Sequence, residues 1–236
     1  ALKEDSTLVP SSSMPSIGEI SEMYTNIEGI GYDNALVVSI SRGLSGTYEA
    51  ALMAKNAYKG KLNIWVLDSK NAAISEGFLS LTALKLIEEG VDFKTLIEKI
   101  KDLRLKRKQY FMVDNLRLFV KNGRLTGAQG FIASVLKIKP ILEVNDDGKI
   151  VPFEKIRTQS KALDRMANLI IDDLKDKSNY IITYNTSDNR EGYEYVRNKI
   201  EAALPPHDAL AAPITPVIGC HTGVGTVGVA YFLKEE

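Results

Sequence analysis

NALVVSISRGLSGTYEAALMAKNAY, residues 34–58, decides the fold. Asn34 to Ser41 is a compact apolar run rich in Val and Ile, which predicts a buried parallel strand. It ends in Ser41-Arg42-Gly43-Leu44-Ser45-Gly46-Thr47 and passes into Tyr48–Tyr58, where Ala and Leu dominate a helical pattern. Downstream, Asn63–Asp68 is a second strand of the same kind. Glu76–Glu89 predicts a helix that stops at Gly90, and Asp92–Leu105 predicts another. This alternation of strand and helix predicts a parallel, doubly wound α/β layer.

The character changes near Lys106-Arg107-Lys108. Ile141–Val144, then Asn145-Asp146-Asp147-Gly148, then Ile150–Ile156 reads as two strands joined by a tight Asp-Gly turn. Such a hairpin belongs to an antiparallel sheet. Ser160–Leu174 follows as a helix with Ser160 as its cap. Tyr180–Tyr184 predicts a strand, Arg190–Leu204 a helix, and Thr215–Cys220 and Gly228–Leu233 strands. The expected architecture is α/β in two lobes: residues 1–109 around a parallel, doubly wound sheet, and residues 110–236 as α+β with a mostly antiparallel sheet. A cleft between two such lobes is a favoured place for a ligand.

Composition narrows the function. The 236 residues are 44% hydrophobic and 25% charged, enough for a core without disulfides or metals. Lys+Arg and Asp+Glu both number 30, so no global field attracts nucleic acid or an anionic membrane. An anion must therefore be held by a local site. Cys220 is the only cysteine and fits a reducing compartment; with His207 and His221 as the only histidines, a zinc cluster is not expected. No apolar run approaches the ~20 residues that span a bilayer, and Ala1–Pro15 is not patterned as a signal peptide. The expected location is the cytoplasm, with no stable insertion in a membrane.

The turn at Ser41–Thr47 is the most informative local feature. Gly43 and Gly46 let the backbone approach a ligand, Ser41, Ser45 and Thr47 supply hydroxyls, and the following helix offers N–H groups and partial positive charge. That suits a carboxylate or phosphate, and equally an ordinary helix cap. It is not a Walker loop, lacking the Gly-Lys-Ser/Thr ending, nor a hydrolase elbow, since Thr47 stands where the second glycine belongs. A second feature is Cys220-His221-Thr222-Gly223-Val224-Gly225, expected beyond the end of a strand. Gly223, Gly225 and Gly228 spell a dinucleotide fingerprint, but the residues up to Glu236 leave no room for the βαβ unit it needs. Cys220 and His221 make a poor catalytic pair, because adjacent strand residues point to opposite faces. What remains is a histidine and a threonine in a glycine-rich turn, read as a ligand contact. Arg124, in Asn122-Gly123-Arg124-Leu125-Thr126-Gly127, and Arg157, after the hairpin, carry guanidinium groups that suit carboxylates. Ser11-Ser12-Ser13-Met14-Pro15-Ser16 reads by itself as a polar, flexible opening.

Together these segments resemble the DegV family of bacterial fatty-acid-binding proteins, nearly end to end and in the family's order. Ser12-Ser13-Met14-Pro15-Ser16 is similar to its Thr-Ser-x-Pro-Ser segment, and Ile40–Tyr48 to its most distinctive signature. Val66–Lys70, Val113-Asp114-Asn115-Leu116, Asn122–Leu125, Leu136–Leu142, Arg157-Thr158 and His221–Gly225 complete the series. The resemblance implies an acyl chain buried between two lobes, its carboxylate held by Ser12, Ser13, Ser41 and Ser45. It places His221 near that carboxylate and Arg124 and Arg157 around it, with Gly46, Thr47, Thr222 and Gly223 completing the two turns. It also implies a carrier with no cofactor and no catalysis of its own, presenting the fatty acid to a separate ATP-dependent kinase that makes the acyl phosphate. The competing reading is a serine hydrolase of acyl esters using Ser45 or Ser41 with His221.

The chain departs from the family in places. It starts after the point where the family's first strand and Asp-Ser-Thr segment stand; Asp5-Ser6-Thr7 is a superficial likeness, so the first lobe is expected to lack an edge strand. Arg42 replaces a usual serine, Ser12 a threonine, Asn122 a glycine, Lys137 an asparagine and Val224 a proline.

Overall fold

The computed structural model describes residues 2–5, 7–114, 116–127 and 138–234; Ser6, Asn115, Leu136 and Lys137, named above, lie outside them. Helix α1 (Ile17–Gly29) precedes strand β1 (Asn34–Ser39), helix α2 (Thr47–Ala57) and strand β2 (Asn63–Asp68). β1 and β2 pair in parallel, Val37 beside Val66 and Val38 beside Leu67. Successive side chains on a strand point to opposite faces, so both faces of this pair need cover. Ala35, Val37, Ile64 and Val66 meet α1 and α2. Leu36, Val38, Trp65 and Leu67 meet α3 (Ile74–Glu88) and α4 (Phe93–Leu103). The first lobe is therefore doubly wound, on two strands.

The second sheet has six strands: β3 (Arg107–Met112), β4 (Lys139–Val144), β5 (Ile150–Ile156), β6 (Tyr180–Ser187), β7 (Asp208–Pro213) and β8 (Thr226–Leu233). A short helix, α5 (Arg117–Lys121), follows β3. The strand order is β5-β4-β3-β8-β6-β7, antiparallel throughout except between β6 and β7. On one face Met112, Ile182 and Val229 pack against α6 (Gln159–Leu174) and α7 (Arg190–Ala203). On the other, Ile181 and Phe232 join α3 and α4. Those two helices thus lie between the sheets, and their fully buried Leu79, Leu96 and Ile100 each contribute about 2 kcal/mol.

Several elements differ from expectation. Thr215–Cys220 is not a strand: Thr215 is the N-cap and Pro216 the first residue of helix α8 (Pro216–Thr222). Proline at that position gives up an N–H the helix does not use, and its fixed φ suits the first turn. Helix α6 is capped by Thr158, not Ser160, the Thr158 hydroxyl accepting from Lys161 N at 3.4 Å. Helix α1 and strands β3 and β7 lie outside the predicted elements. For α1 the signal is present in Ser16-Ile17-Gly18-Glu19, a capping box in which Ser16 Oγ accepts from Glu19 N and the Glu19 carboxylate from Ser16 N. The lobe boundary drawn at residue 109 falls inside β3, a central strand of the second sheet.

The two sheets are joined by a polar clamp around the loop after β2. Arg104 donates to Asp68 O, Arg107 Nη2 to Lys70 O at 2.7 Å, and Gln109 Nε2 to Ala72 O at 3.3 Å. Three side chains thus take three alternate carbonyls of one loop. Arg107, only 5% exposed, also donates to Val144 O at 2.8 Å and Asn145 O at 2.9 Å in the β4–β5 hairpin. Burial lowers its pKa, Asp146 and Glu143 offset part of that, and the guanidinium stays charged. Arg107→Ala strands these buried carbonyls; it is expected to lower unfolding stability by about 3 kcal/mol, read from the urea midpoint.

One carboxyl sits uneasily in the layer between the sheets. Glu76, in the first turn of α3, has its pKa pushed up to about 7 by burial, from an ordinary 4.5. The folded chain holds this proton more tightly than the unfolded one, so the stability it confers is complete below 4.5 and is lost as pH rises through about 7. Glu76→Gln is expected to leave stability unchanged near pH ~4 and to raise it by about 1–2 kcal/mol near pH ~8, measured by paired denaturant titrations.

Candidate functional site

The turn between β1 and α2 is set by the hairpin of the other lobe. Ser41 is fully buried; its hydroxyl donates to Gly148 O at 2.7 Å and accepts from Gly43 N at 3.1 Å. A Cβ on Gly43 would stand 2.8 Å from Gly148 O, and one on Gly148, which has φ +74°, would run into the Ser41 hydroxyl. These glycines permit the close approach. Ser41, expected to hold a ligand, therefore spends its hydroxyl on joining the lobes. Leu44 anchors the same turn in an apolar cluster with Phe111, Val113, Phe119 and Leu142, edged by the half-buried Ile40 and Leu125.

Past Leu44 the turn opens outward. Ser45 Oγ and Thr47 Oγ1 lie 2.9 Å apart, and Thr47 N donates to Ser45 Oγ at 3.3 Å. Both hydroxyls stand at the N-terminal end of α2, where partial positive charge favours an anion. Gly46, the N-cap, is closely covered by Met14: a Cβ there would lie 2.7 Å from the methionine sulfur.

Met14 belongs to an extended strap, residues 7–16, that crosses from the second lobe to α1. Arg117 donates to Thr7 O and to Leu8 O (3.2 Å), and Asn122 to Pro10 O (3.2 Å). Ser12 Oγ lies 2.7 Å from His221 Nε2. His221 is in the last turn of α8, half-buried, its Nδ1 enclosed and without a protein partner among the described residues. Burial, and secondarily the Arg124 guanidinium, hold its pKa below the ordinary 6.5, so the resting imidazole is neutral at neutral pH. Arg124 donates from Nε to Leu44 O at 2.9 Å and from Nη1 to Asn122 O at 2.6 Å, which sets it beside the Ser45 turn.

Four segments distant in sequence are thus linked by these contacts: Ser12 on the strap, Ser45 and Thr47 at the N-terminal end of α2, Arg124 after α5, and His221 on α8. Ser13 is exposed on the same strap. Thr222 is buried and donates to Gly223 O at 3.3 Å, while Gly223, φ +76°, ends α8; both shape the turn. Arg157 is exposed beyond β5 and forms no hydrogen bond or ion pair among the described residues. Sequence reasoning passed over Asn122, whose side chain donates to Cys220 O as well as Pro10 O. Cys220 and His221 share a helix rather than a strand; Cys220 turns inward and donates its thiol to Val217 O at 3.1 Å. No residue among those described completes a nucleophile, base and carboxylate series through His221. A cavity of about 410 Å³ lies elsewhere, lined by Phe78, Leu86, Ile100, Ile181 and Leu210, towards the opposite end of β6 from Ser187 and the Gly225 turn.

Comparison with known proteins shows the family and the fold. A DegV domain-containing protein of Staphylococcus aureus is 33% identical over 227 residues, 96% of this chain and 78% of the relative. The structure of a fatty acid binding DegV family protein from Streptococcus agalactiae superposes with a TM-score of 0.88 at 30% identity, over 99% of this chain and 82% of the other. That of DegV, a fatty acid binding protein from Bacillus subtilis, gives 0.87 at 31% identity over 99% and 82%. The model of the DegV family matches residues 2–234, and the chain belongs to that family.

Proposed function

We propose that this protein binds a long-chain fatty acid, with the carboxylate between Ser12, Ser45, Thr47, Arg124 and His221 and the acyl tail between the lobes. The observation that carries the reading is the contact of Ser12 with His221, a neutral imidazole whose Nδ1 has no partner among the described residues, near Arg124, which is bonded to the Leu44 carbonyl next to the Ser45 and Thr47 hydroxyls. Relatives of similar fold are described as fatty acid binding, which supports the same ligand. Ser13, Gly46, Thr222 and Gly223 shape the pocket, Ser41 holds its wall, and Arg157 supplies basic charge at the rim. Ile40, Leu44 and Leu125 offer an apolar path, along which each buried methylene contributes about 0.8 kcal/mol. Hydroxyls orient the headgroup, and the Arg124 guanidinium offsets its charge.

In this reading the protein acts in the cytoplasm as a carrier, with no cofactor, and presents the exposed carboxylate to a separate kinase for acyl-phosphate formation. The hydrolase reading is disfavoured by the positions of its parts: Ser41 is committed to Gly148 O and Ser45 to Thr47, while His221 contacts Ser12. Acyl phosphate should form only when a kinase and ATP are supplied with the loaded protein.

Two outcomes follow from the site. Native mass spectrometry of the purified protein should show a copurifying fatty acid, and Ser45→Ala with Thr47→Ala should weaken its binding about tenfold or more. A wild-type protein that is folded, empty and unable to take up oleate would sink the reading. The second outcome concerns pH. A carboxylate beside His221 raises the imidazole pKa from its depressed resting value, so binding takes up a proton. Affinity should therefore strengthen, by up to about tenfold, as pH falls from ~8 to ~6, and His221→Gln should flatten that dependence in calorimetric titrations.

A further inference from the structure

Helix α5 ends in a Schellman arrangement: Gly123 N donates to Val120 O at 3.2 Å and Arg124 N to Phe119 O at 3.0 Å, with Gly123 at φ +66°. This fixes where Asn122, the C-cap, projects its side chain. An asparagine amide has two N–H groups, and Asn122 Nδ2 uses them on Pro10 O and Cys220 O, both at 3.2 Å. Pro10 stands two residues before Ser12, and Cys220 one before His221. Cys220 O is among the last carbonyls of α8, which have no partner within the helix. Pro10 lies in a strap that pairs with no strand.

One half-buried side chain therefore ties together the two backbones whose neighbouring residues make the 2.7 Å Ser12–His221 contact. A single hydroxyl–imidazole bond on an exposed segment holds poorly, because ordering the strap costs as much as the bond contributes. With Asn122 in place the strap and α8 are already joined, and the Ser12–His221 contact closes within an assembled unit. We propose that Asn122 is a positioning residue of the carboxylate site, holding Ser12 against His221 and slowing the opening of the strap through which ligand leaves. The part concerning release rests on the fatty-acid reading above; the part concerning Ser12 and His221 does not.

The test uses Asn122→Leu, close in shape and without the donors, beside Asn122→Gln, which keeps them on a longer arm. His207 and His221 are the only imidazoles in the chain, so nitrogen-15 NMR follows each through a pH titration. In Asn122→Leu the His221 titration should move towards that of Ser12→Ala, with His207 unchanged, and stopped-flow release of a fluorescent fatty acid should quicken about tenfold. Asn122→Gln should recover part of both. If Asn122→Leu fails to fold, Asn122→Ser, with a shorter arm, carries the same expectation. A wild-type His221 titration together with wild-type release in the folded variants overturns the proposal, whereas the fatty-acid reading then stands. If no form binds fatty acid, that reading fails, and the His221 titration still decides whether Asn122 positions the pair.

Discussion

The buried guanidinium of Arg107 is the constraint on which the rest of the molecule depends. It leaves β3, a strand of the second sheet, and donates both to the loop after β2 and to the β4–β5 hairpin. A charge taken out of water is costly unless several acceptors meet it, and here backbone carbonyls do so from both lobes. Arg104 and Gln109 extend the contact along the same loop. With loop and hairpin held together, Gly148 O is where Ser41 can reach it, and the Ser41–Thr47 turn takes its place. The site is thus built from the interface outward.

That order explains why the two ends of the turn behave differently. Ser41 and Leu44 face inward, one spent on a carbonyl and the other in an apolar cluster. Ser45, Gly46 and Thr47 face outward, with Met14 of the strap over Gly46. Arg124 donates to the carbonyls of Leu44 and Asn122, and its charge adds to the effect of burial in lowering the His221 pKa. A neutral histidine beside a fixed cation can receive a carboxylate and gain a proton as it does so.

The misread elements share a cause. Thr215–Cys220 has the apolar look of a strand because Val217 and Ile218 are adjacent, yet Thr-Pro at its start already marks a helix. Lys106-Arg107-Lys108 looks like a solvated boundary, since nothing local shows that Arg107 will find buried carbonyls. β7 runs Asp-Ala-Leu-Ala-Ala-Pro, too weak in β-formers to stand out, and is held by its parallel pairing with β6. Helix α1 is the exception: its capping box was legible in the chain itself.

By itself the sequence determined the local units. Residues 34–58 make a strand, a glycine turn and a helix because apolar runs and small residues dictate that wherever they stand, and the order of the motifs pointed to the family. It also supplied Ser12, Ser45, Arg124 and His221 as chemical types suited to an anion. Only the tertiary structure decided which of these come into contact. Ser12 and His221 lie at opposite ends of the chain, and no periodicity couples them; a strap, a short helix and Asn122 bring them to 2.7 Å. Likewise Ser41 and Ser45 look equivalent in sequence, and the approach of Gly148 from the other lobe alone separates the one that joins the lobes from the one left beside Thr47 at the start of α2.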